Sequence, residues 1–276
     1  MNIFILGAGY VGRAFLSSAK SSSDHFIAST ASVENISTLK SLANEVCLLK
    51  SSQRGELKKI LDRSDAMVIL IAASGSQSYE EAYLETAKAV SFALKERTLP
   101  FYLLYTSSAF VYQGQKERYV TEEKQLAPTH PRALTLLEAE SIYLSSANEQ
   151  VKVCILRLGG IYGPGRDLLE RASGFSNKEL AGSWDEPTNH IHVEDIARAM
   201  QFCMKKRLEG VYNLVNDAHP TRKELYSKLC QQLGILPPSW NREKVSEHGS
   251  GCMVSNQKIK DRGFTFHHPG IEEKNA

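Results

Sequence analysis

Asn2-Ile3-Phe4-Ile5-Leu6-Gly7-Ala8-Gly9-Tyr10-Val11-Gly12 is the stretch that decides the fold. Its first five residues are nearly all apolar and read as a strand buried on both faces. The next six carry three glycines at G-x-G-x-x-G spacing. Beyond them, Val11, Ala14, Phe15 and Ala19 share one face of a helix expected over 10–20. A strand, a glycine turn and a helix in that order is the context that gives this spacing a mechanism. Gly7 permits the tight turn, Gly9 lets backbone approach a pyrophosphate, and Gly12 lets helix and strand pack closely. The helix N-terminus then offers amides and partial positive charge to phosphates. The loop therefore reads as a dinucleotide site, with Gly7, Gly9, Tyr10, Val11 and Gly12 as its contacts. A signal peptide is a poorer reading of the first residues, because no charge precedes the apolar run and the turn cuts it after Leu6.

Outward from this unit the alternation continues. Strands are expected over 25–29, 45–49, 66–72, 101–106 and 151–158, and a helix over 79–97. After Tyr162 the rhythm changes. Gly163-Pro164-Gly165 is a strong loop signal, and 166–187 has little periodicity. A helix over 193–207 follows, with Val193, Ile196, Ala197, Met200, Cys203 and Met204 on one face. A strand over 210–215 and a helix over 221–233 come next. Repeated strand–helix–strand units give an α/β fold, a Rossmann-type doubly wound parallel sheet. Residues 1–164, completed by 189–215, form the dinucleotide-binding domain. Residues 165–188 and 216–276 form a smaller C-terminal substrate-binding region.

Composition excludes other classes. The 276 residues hold 33 Lys and Arg against 31 Asp and Glu, a formal charge of +2 that implies no basic face. Nucleic acid is thus not an expected partner. No apolar run reaches the ~20 residues of a membrane helix, so no membrane is expected either. Cys47, Cys154, Cys203, Cys230 and Cys252 are odd in number and contain no CxxC pair. That argues against a disulfide framework or a zinc site and for a reducing, cytoplasmic setting.

The end of the second strand should choose the cofactor. An Asp or Glu about 20 residues past the loop would hold the ribose hydroxyls of NAD. Ser29, Thr30 and Ser32 stand there, with neither an acid nor an Arg among residues 29–32, which favours NADP over NAD. Ala72, Ala73 and Thr106, at the carboxyl ends of the fourth and fifth strands, complete the cofactor set, because ligands of open α/β sheets bind beyond those ends.

Three further segments carry a family resemblance. Tyr105-Thr106-Ser107-Ser108-Ala109-Phe110-Val111-Tyr112 closes the fifth strand. Arg157-Leu158-Gly159-Gly160-Ile161-Tyr162-Gly163-Pro164-Gly165 follows the sixth. Asn189-His190-Ile191-His192-Val193-Glu194-Asp195 opens the later helix. In order and spacing, and together with the glycine loop, they resemble the extended short-chain dehydrogenase/reductase superfamily, the NAD-dependent epimerase/dehydratase group. The resemblance implies a Ser or Thr near the end of strand five that polarises the substrate oxygen, by position Ser108. It also implies a Tyr-x-x-x-Lys pair on the next helix, whose Tyr exchanges a proton near neutrality. Leu137-Glu138-Ala139-Glu140 matches that helix, but Arg132 holds the Tyr position and Leu136 the Lys position. Leu6 also stands where extended members commonly carry another glycine. These departures, with Val254–Lys260, Gly263-Phe264 and Pro269, resemble the atypical YeeZ-like branch. In related enzymes two long helices pair between subunits, so the resemblance makes a homodimer the expectation.

Several residues have both a bland and a functional reading. Ser108 either caps a turn or touches substrate. Tyr112 and Tyr162 either pack or substitute as acid/base groups. His190 and His192 lack metal-ligand spacing, so no metal is expected. Arg157 is more consistent with an internal ion pair. A guanidinium at position 132 does not shuttle protons, but it binds carboxylate or phosphate through a fork. The candidate catalytic set is therefore Ser108, Arg132 and Tyr112. Two functions stay open. One is a nicotinamide-dependent oxidoreductase or epimerase on a polar small molecule such as a nucleotide sugar. The other is a dinucleotide-binding sensor without turnover.

Overall fold

The computed structural model describes all residues except 21, 50–52, 74–77, 116, 245–250 and 272–276. The chain begins β1 (Asn2–Leu6), α1 (Tyr10–Ser18), β2 (His25–Thr30), α2 (Ile36–Lys40), β3 (Glu45–Leu48), α3 (Arg54–Asp62) and β4 (Ala66–Ile69). It continues with α4 (Thr86–Leu94), β5 (Phe101–Ser108), β6 (Tyr119–Val120), α5 (Pro131–Leu144), β7 (Val151–Leu158), β8 (Gly160–Tyr162) and α6 (Leu168–Phe175). It ends with β9 (Glu179–Ala181), β10 (His190–His192), α7 (Val193–Lys206), β11 (Gly210–Leu214), α8 (Arg222–Leu233), β12 (Ser239–Asn241), β13 (Met253–Val254) and α9 (Gln257–Asp261).

Seven strands form one sheet in the order β11-β7-β5-β4-β1-β2-β3. This is the Rossmann-type sheet expected from the sequence. β1 lies parallel to both β2 and β4, with Ile3 opposite Phe26 on one side and Ala66 on the other. The strand order reverses there, which opens the ligand crevice of this sheet class. The central strands are apolar because helices cover both faces. Phe4, Leu6, Met67, Ile69, Leu103 and Tyr105 pack on one side with Leu57 and Leu61 of α3 and Val90 and Leu94 of α4.

The residues fall into two compact units. The first holds 1–107, 134–157 and 196–212, and the second holds 108–133, 158–195 and 213–276. Within the second, three two-stranded pairs form: β10 with β8, β12 with β9 and β13 with β6. Helices α6 and α8 bury Leu168, Ala172, Leu225 and Leu229 with Tyr162. Helix α8 begins in a reciprocal capping box between Thr221 and Glu224 and stops at Gly234, whose φ is +65°. Both ends thus have their free backbone groups satisfied.

The structure differs from the sequence pattern in places. β4 ends at Ile69, not at residue 72, so Ala72 and Ala73 lie on the loop beyond it. The helix expected over 79–97 opens in a π-helical turn, Glu81–Glu85. In that turn the Tyr83 ring packs against Tyr79 at 4.5 Å between centroids. Helices α2 and α3, and α6 and β9 within 166–187, lie outside the expected pattern. All five cysteines are free thiols. Among the described residues no helix is long and apolar enough to cross a membrane.

Candidate functional site

The first unit supplies the phosphate loop. Gly7 has φ +85°, and a Cβ on it would stand 3.1 Å from the Leu70 carbonyl oxygen, so this position requires glycine. A Cβ on Gly12 would lie 3.3 Å from both Ala8 Cβ and Leu70 Cδ1, the close helix–strand approach expected of it. Gly9 differs from both, because a Cβ there meets nothing within 4 Å. The space at the start of α1 is therefore open at the one glycine whose side chain would block an approaching pyrophosphate. Tyr10 and Val11 begin α1 directly after it.

The end of β2 shapes that loop. Ser29 is wholly buried. Its hydroxyl donates to Ile5 O at 3.2 Å and accepts from Gly7 N, while its carbonyl accepts from Ala8 N at 2.7 Å. Thr30 closes a local turn on Ser32. The Ser29 and Thr30 hydroxyls thus take part in hydrogen bonds within the fold. Charged residues stand just beyond this turn. The Ser32 hydroxyl bonds the Glu34 carboxylate, and Arg13 reaches Asn35 Oδ1 at 3.3 Å. Glu34 lies just beyond residues 29–32, and the 3-10 turn Val33–Asn35 returns it to Ser32. The Ser32 hydroxyl holds the Glu34 carboxyl below the usual carboxylate range.

At the end of β5, Thr106 donates to Ile69 O at 3.1 Å. Ser107 donates to Glu140 Oε1 at 2.5 Å. Arg157 grips the same carboxylate through Nη2 at 2.7 Å and Nε at 3.1 Å, with both side chains almost fully buried. That is the internal ion pair expected of Arg157. On α5, Leu136 is buried and Arg132 is exposed.

The second unit brings Ser108 and Arg132 into one chain of contacts. Ser108 Oγ accepts from Phe110 N at 3.1 Å. The Phe110 ring meets His130 edge-on at 5.1 Å, and His130 Nδ1 accepts from Arg132 N at 3.2 Å. Ser108 thus does cap a turn, yet its own hydroxyl hydrogen has no acceptor among the described residues. Tyr112 is different. It is fully buried and donates to Asn213 Oδ1 at 2.9 Å, and Asn213 Nδ2 in turn donates to Ser255 O. Tyr162 is equally buried and donates to Gly270 O.

A cluster at the start of α7 escapes a reading of the sequence. His192 and His268 stack with centroids 3.7 Å apart. Glu194 accepts from His267 Nδ1 at 3.1 Å and His268 Nε2 at 3.0 Å, and Asp195 accepts both backbone amides of these histidines at 2.8 Å. His192, Glu194 and His268 place three metal-type ligand atoms within 4.8 Å. Those of Glu194 and His268 already bond each other, and His192 Nδ1 accepts from Glu194 N. The cluster therefore acts as a clasp for the C-terminal segment. Only the residue types give a signal for it, since the two histidine pairs lie far apart in sequence.

His190 is buried, and its Nδ1 has no hydrogen-bond partner among the described residues. Desolvation, with smaller contributions from Arg171 and His219, lowers its pKa to about 3. The folded chain therefore keeps it neutral where the unfolded chain, with a pKa near 6.5, takes up a proton. Its contribution to stability is whole above pH ~6.5 and is lost as pH falls toward about 3, at up to about 1.4 kcal/mol per pH unit. A His190→Leu chain should show a flatter decline of urea-unfolding free energy between those limits. Parallel declines for the two chains would refute the assignment.

Comparison with known proteins agrees with this geometry. Residues 3–215 match the NAD dependent epimerase/dehydratase family. The chain is similar to Protein YeeZ of Escherichia coli K12, 28% identical over 216 residues, or 78% of this chain and 75% of that protein. A UDP-glucuronic acid 4-epimerase of Bacillus cereus, solved with NAD and a fluorinated UDP-sugar, superposes with TM-score 0.81 at 19% identity, covering 95% and 92% of the two chains. A dTDP-glucose 4,6-dehydratase of Bacillus anthracis in complex with NAD gives TM-score 0.78 at 20% identity, covering 95% and 89%. With the family matched over most of its length, and the glycine loop and reversed strand order in place, the chain belongs to the NAD dependent epimerase/dehydratase family.

Proposed function

We propose that the protein is a nicotinamide-dependent oxidoreductase or epimerase acting on an anionic polar substrate of the nucleotide-sugar kind. The observation that carries this reading is the open space at Gly9, between two glycines held in place by contacts. Gly7, Gly9, Tyr10, Val11 and Gly12 would hold the pyrophosphate, and Ala72, Ala73 and Thr106 would line the sheet edge beyond it. When bound, the dinucleotide supplies a hydride acceptor or donor. Ser108 donates its free hydroxyl hydrogen to the substrate oxygen. Arg132 anchors a carboxylate or phosphate as a ground-state contact, since a guanidinium keeps its proton. Tyr112 supports the turn from behind, because its hydroxyl hydrogen is held by Asn213. Residues 165–188 and 216–276 form the substrate region.

Cofactor choice follows from the turn after β2. The Glu34 carboxylate, held on Ser32, repels a 2′-phosphate, so NAD(H) binds more tightly than NADP(H). This proposal runs opposite to the NADP preference expected from the absence of an acid within 29–32. Calorimetric titration with both cofactors tests it, and Glu34→Gln should narrow the gap between them. Equal affinities in the parent chain would refute it.

The reaction is tested by following nicotinamide absorbance and sugar exchange across a panel of UDP-sugars and UDP-sugar acids. Arg132→Ala should raise KM roughly 10- to 100-fold, the worth of a charged hydrogen bond, with a smaller effect on kcat. Arg132→Lys should restore part of it, because one ammonium does not reproduce the fork. Ser108→Ala should lower kcat and leave cofactor affinity unchanged. The second reading, a dinucleotide sensor, draws on Arg132 and Leu136 at the relay positions. Tight cofactor binding with no turnover on any substrate would favour it.

A further inference from the structure

The chain contains two tryptophans, and both line the same cavity. It lies wholly within the second unit, has a volume of about 340 Å³, and opens between α8, β12 and the segment after β9. Trp184, Trp240 and Tyr226 supply flat walls, and Pro237-Pro238 supplies an apolar floor. Tyr226 and Trp240 stand 5.9 Å apart between centroids. Each indole has an arginine over one face, Arg242 at 3.5 Å from Trp184 and Arg222 at 4.3 Å from Trp240. These contacts hold the two rings in place at the cavity wall. Trp184 is 39% exposed, so part of its ring is accessible.

The polar side chains of the cavity are Lys223 and Ser227. The carboxylates nearby are already matched: Glu186 with Arg222, Asp185 with Arg242 and Glu179 with Lys244. Lys223 has no carboxylate partner among the described residues. Its backbone N donates to Trp184 O at 2.9 Å, which fixes the root of the side chain beside the first indole. The cavity thus joins aromatic walls to one uncompensated ammonium, at a size within the range of small-molecule sites.

We propose that this cavity binds a small ligand consisting of a flat aromatic ring and an attached anionic group. The ring lies against Trp184, Trp240 and Tyr226, and its phosphate or carboxylate meets Lys223 with Ser227 beside it. The site is separate from the phosphate loop and does not depend on the reading of the reaction.

The two tryptophans make the test direct, because every tryptophan in the chain reports on this cavity. Phenyl phosphate is titrated into the full-length protein with no dinucleotide added, because NAD⁺ carries an aromatic ring and phosphates of its own. Indole fluorescence should fall along a saturable curve. Inorganic phosphate should leave it unchanged, and benzyl alcohol should act more weakly than phenyl phosphate. Lys223→Met, an exposed change that spares the fold, should weaken phenyl phosphate roughly tenfold and leave benzyl alcohol unaffected. Trp184→Phe and Trp240→Phe each keep one reporter, and both should still show the saturable change. Absence of saturation, an equal response to inorganic phosphate, or unchanged affinity in Lys223→Met would overturn the proposal.

Discussion

A Gly9→Val chain should lose dinucleotide binding. Its added Cβ meets no atom within 4 Å, so no side chain or carbonyl of the fold stands in its way. Urea unfolding measures what stability the substitution costs. The new isopropyl group would occupy the path by which a pyrophosphate reaches the first amides of α1, so affinity should drop roughly 100-fold or more. Gly7→Val is the contrasting variant. Its positive φ and the Leu70 carbonyl 3.1 Å away make it a folding defect. Calorimetric titration of NAD⁺, paired with urea unfolding, separates the two. Parental affinity in a folded Gly9→Val chain would show that the phosphates do not lie on this loop.

The second large effect concerns stability. Glu140→Leu should cost about 3–5 kcal/mol, because it leaves the buried guanidinium of Arg157 without its carboxylate. Ser107 loses its acceptor in the same change. Replacing both charged partners with Met should recover much of the loss, since two apolar groups leave no charge stranded. Urea midpoints of the two single variants and the double variant measure the coupling. Additive losses would mean that the carboxylate and guanidinium act independently, contrary to their 2.7 Å contact.

The sheet is legible in the sequence because its signals are local. An apolar strand, a glycine spacing and a helical face all fall within the first 20 residues, and β4, β5 and β7 repeat the strand signal. Helix α5 is legible by resemblance, the ion pair of Arg157 is legible as a charge on a buried strand, and its contact with Glu140 agrees. Glu34 is hidden for a physical reason. The expected acid is placed by distance along the chain, whereas a short 3-10 turn folds this carboxylate back onto Ser32. The clasp of Glu194 and Asp195 on His267 and His268 depends on a return of more than 70 residues, which no periodicity records. Trp184, Tyr226 and Trp240 each look like ordinary aromatic residues in sequence, and only the folding of α8 beside β12 gathers them. Ser108 keeps both of its readings in the structure, because capping Phe110 uses the oxygen and leaves the hydrogen.

The division into two units has a consequence for anyone handling the gene. The chain passes from one unit to the other after residues 107, 133, 157, 195 and 212. Two of those passages occur inside single helices, α5 and α7. No single truncation therefore yields either unit whole. A chain stopped after β7 would lack β11 and all of α7, leaving a sheet edge bare and its apolar neighbours wet. Splicing the substrate-binding portion of a relative onto this scaffold needs several junctions placed together. A swap at one junction would break both units at once.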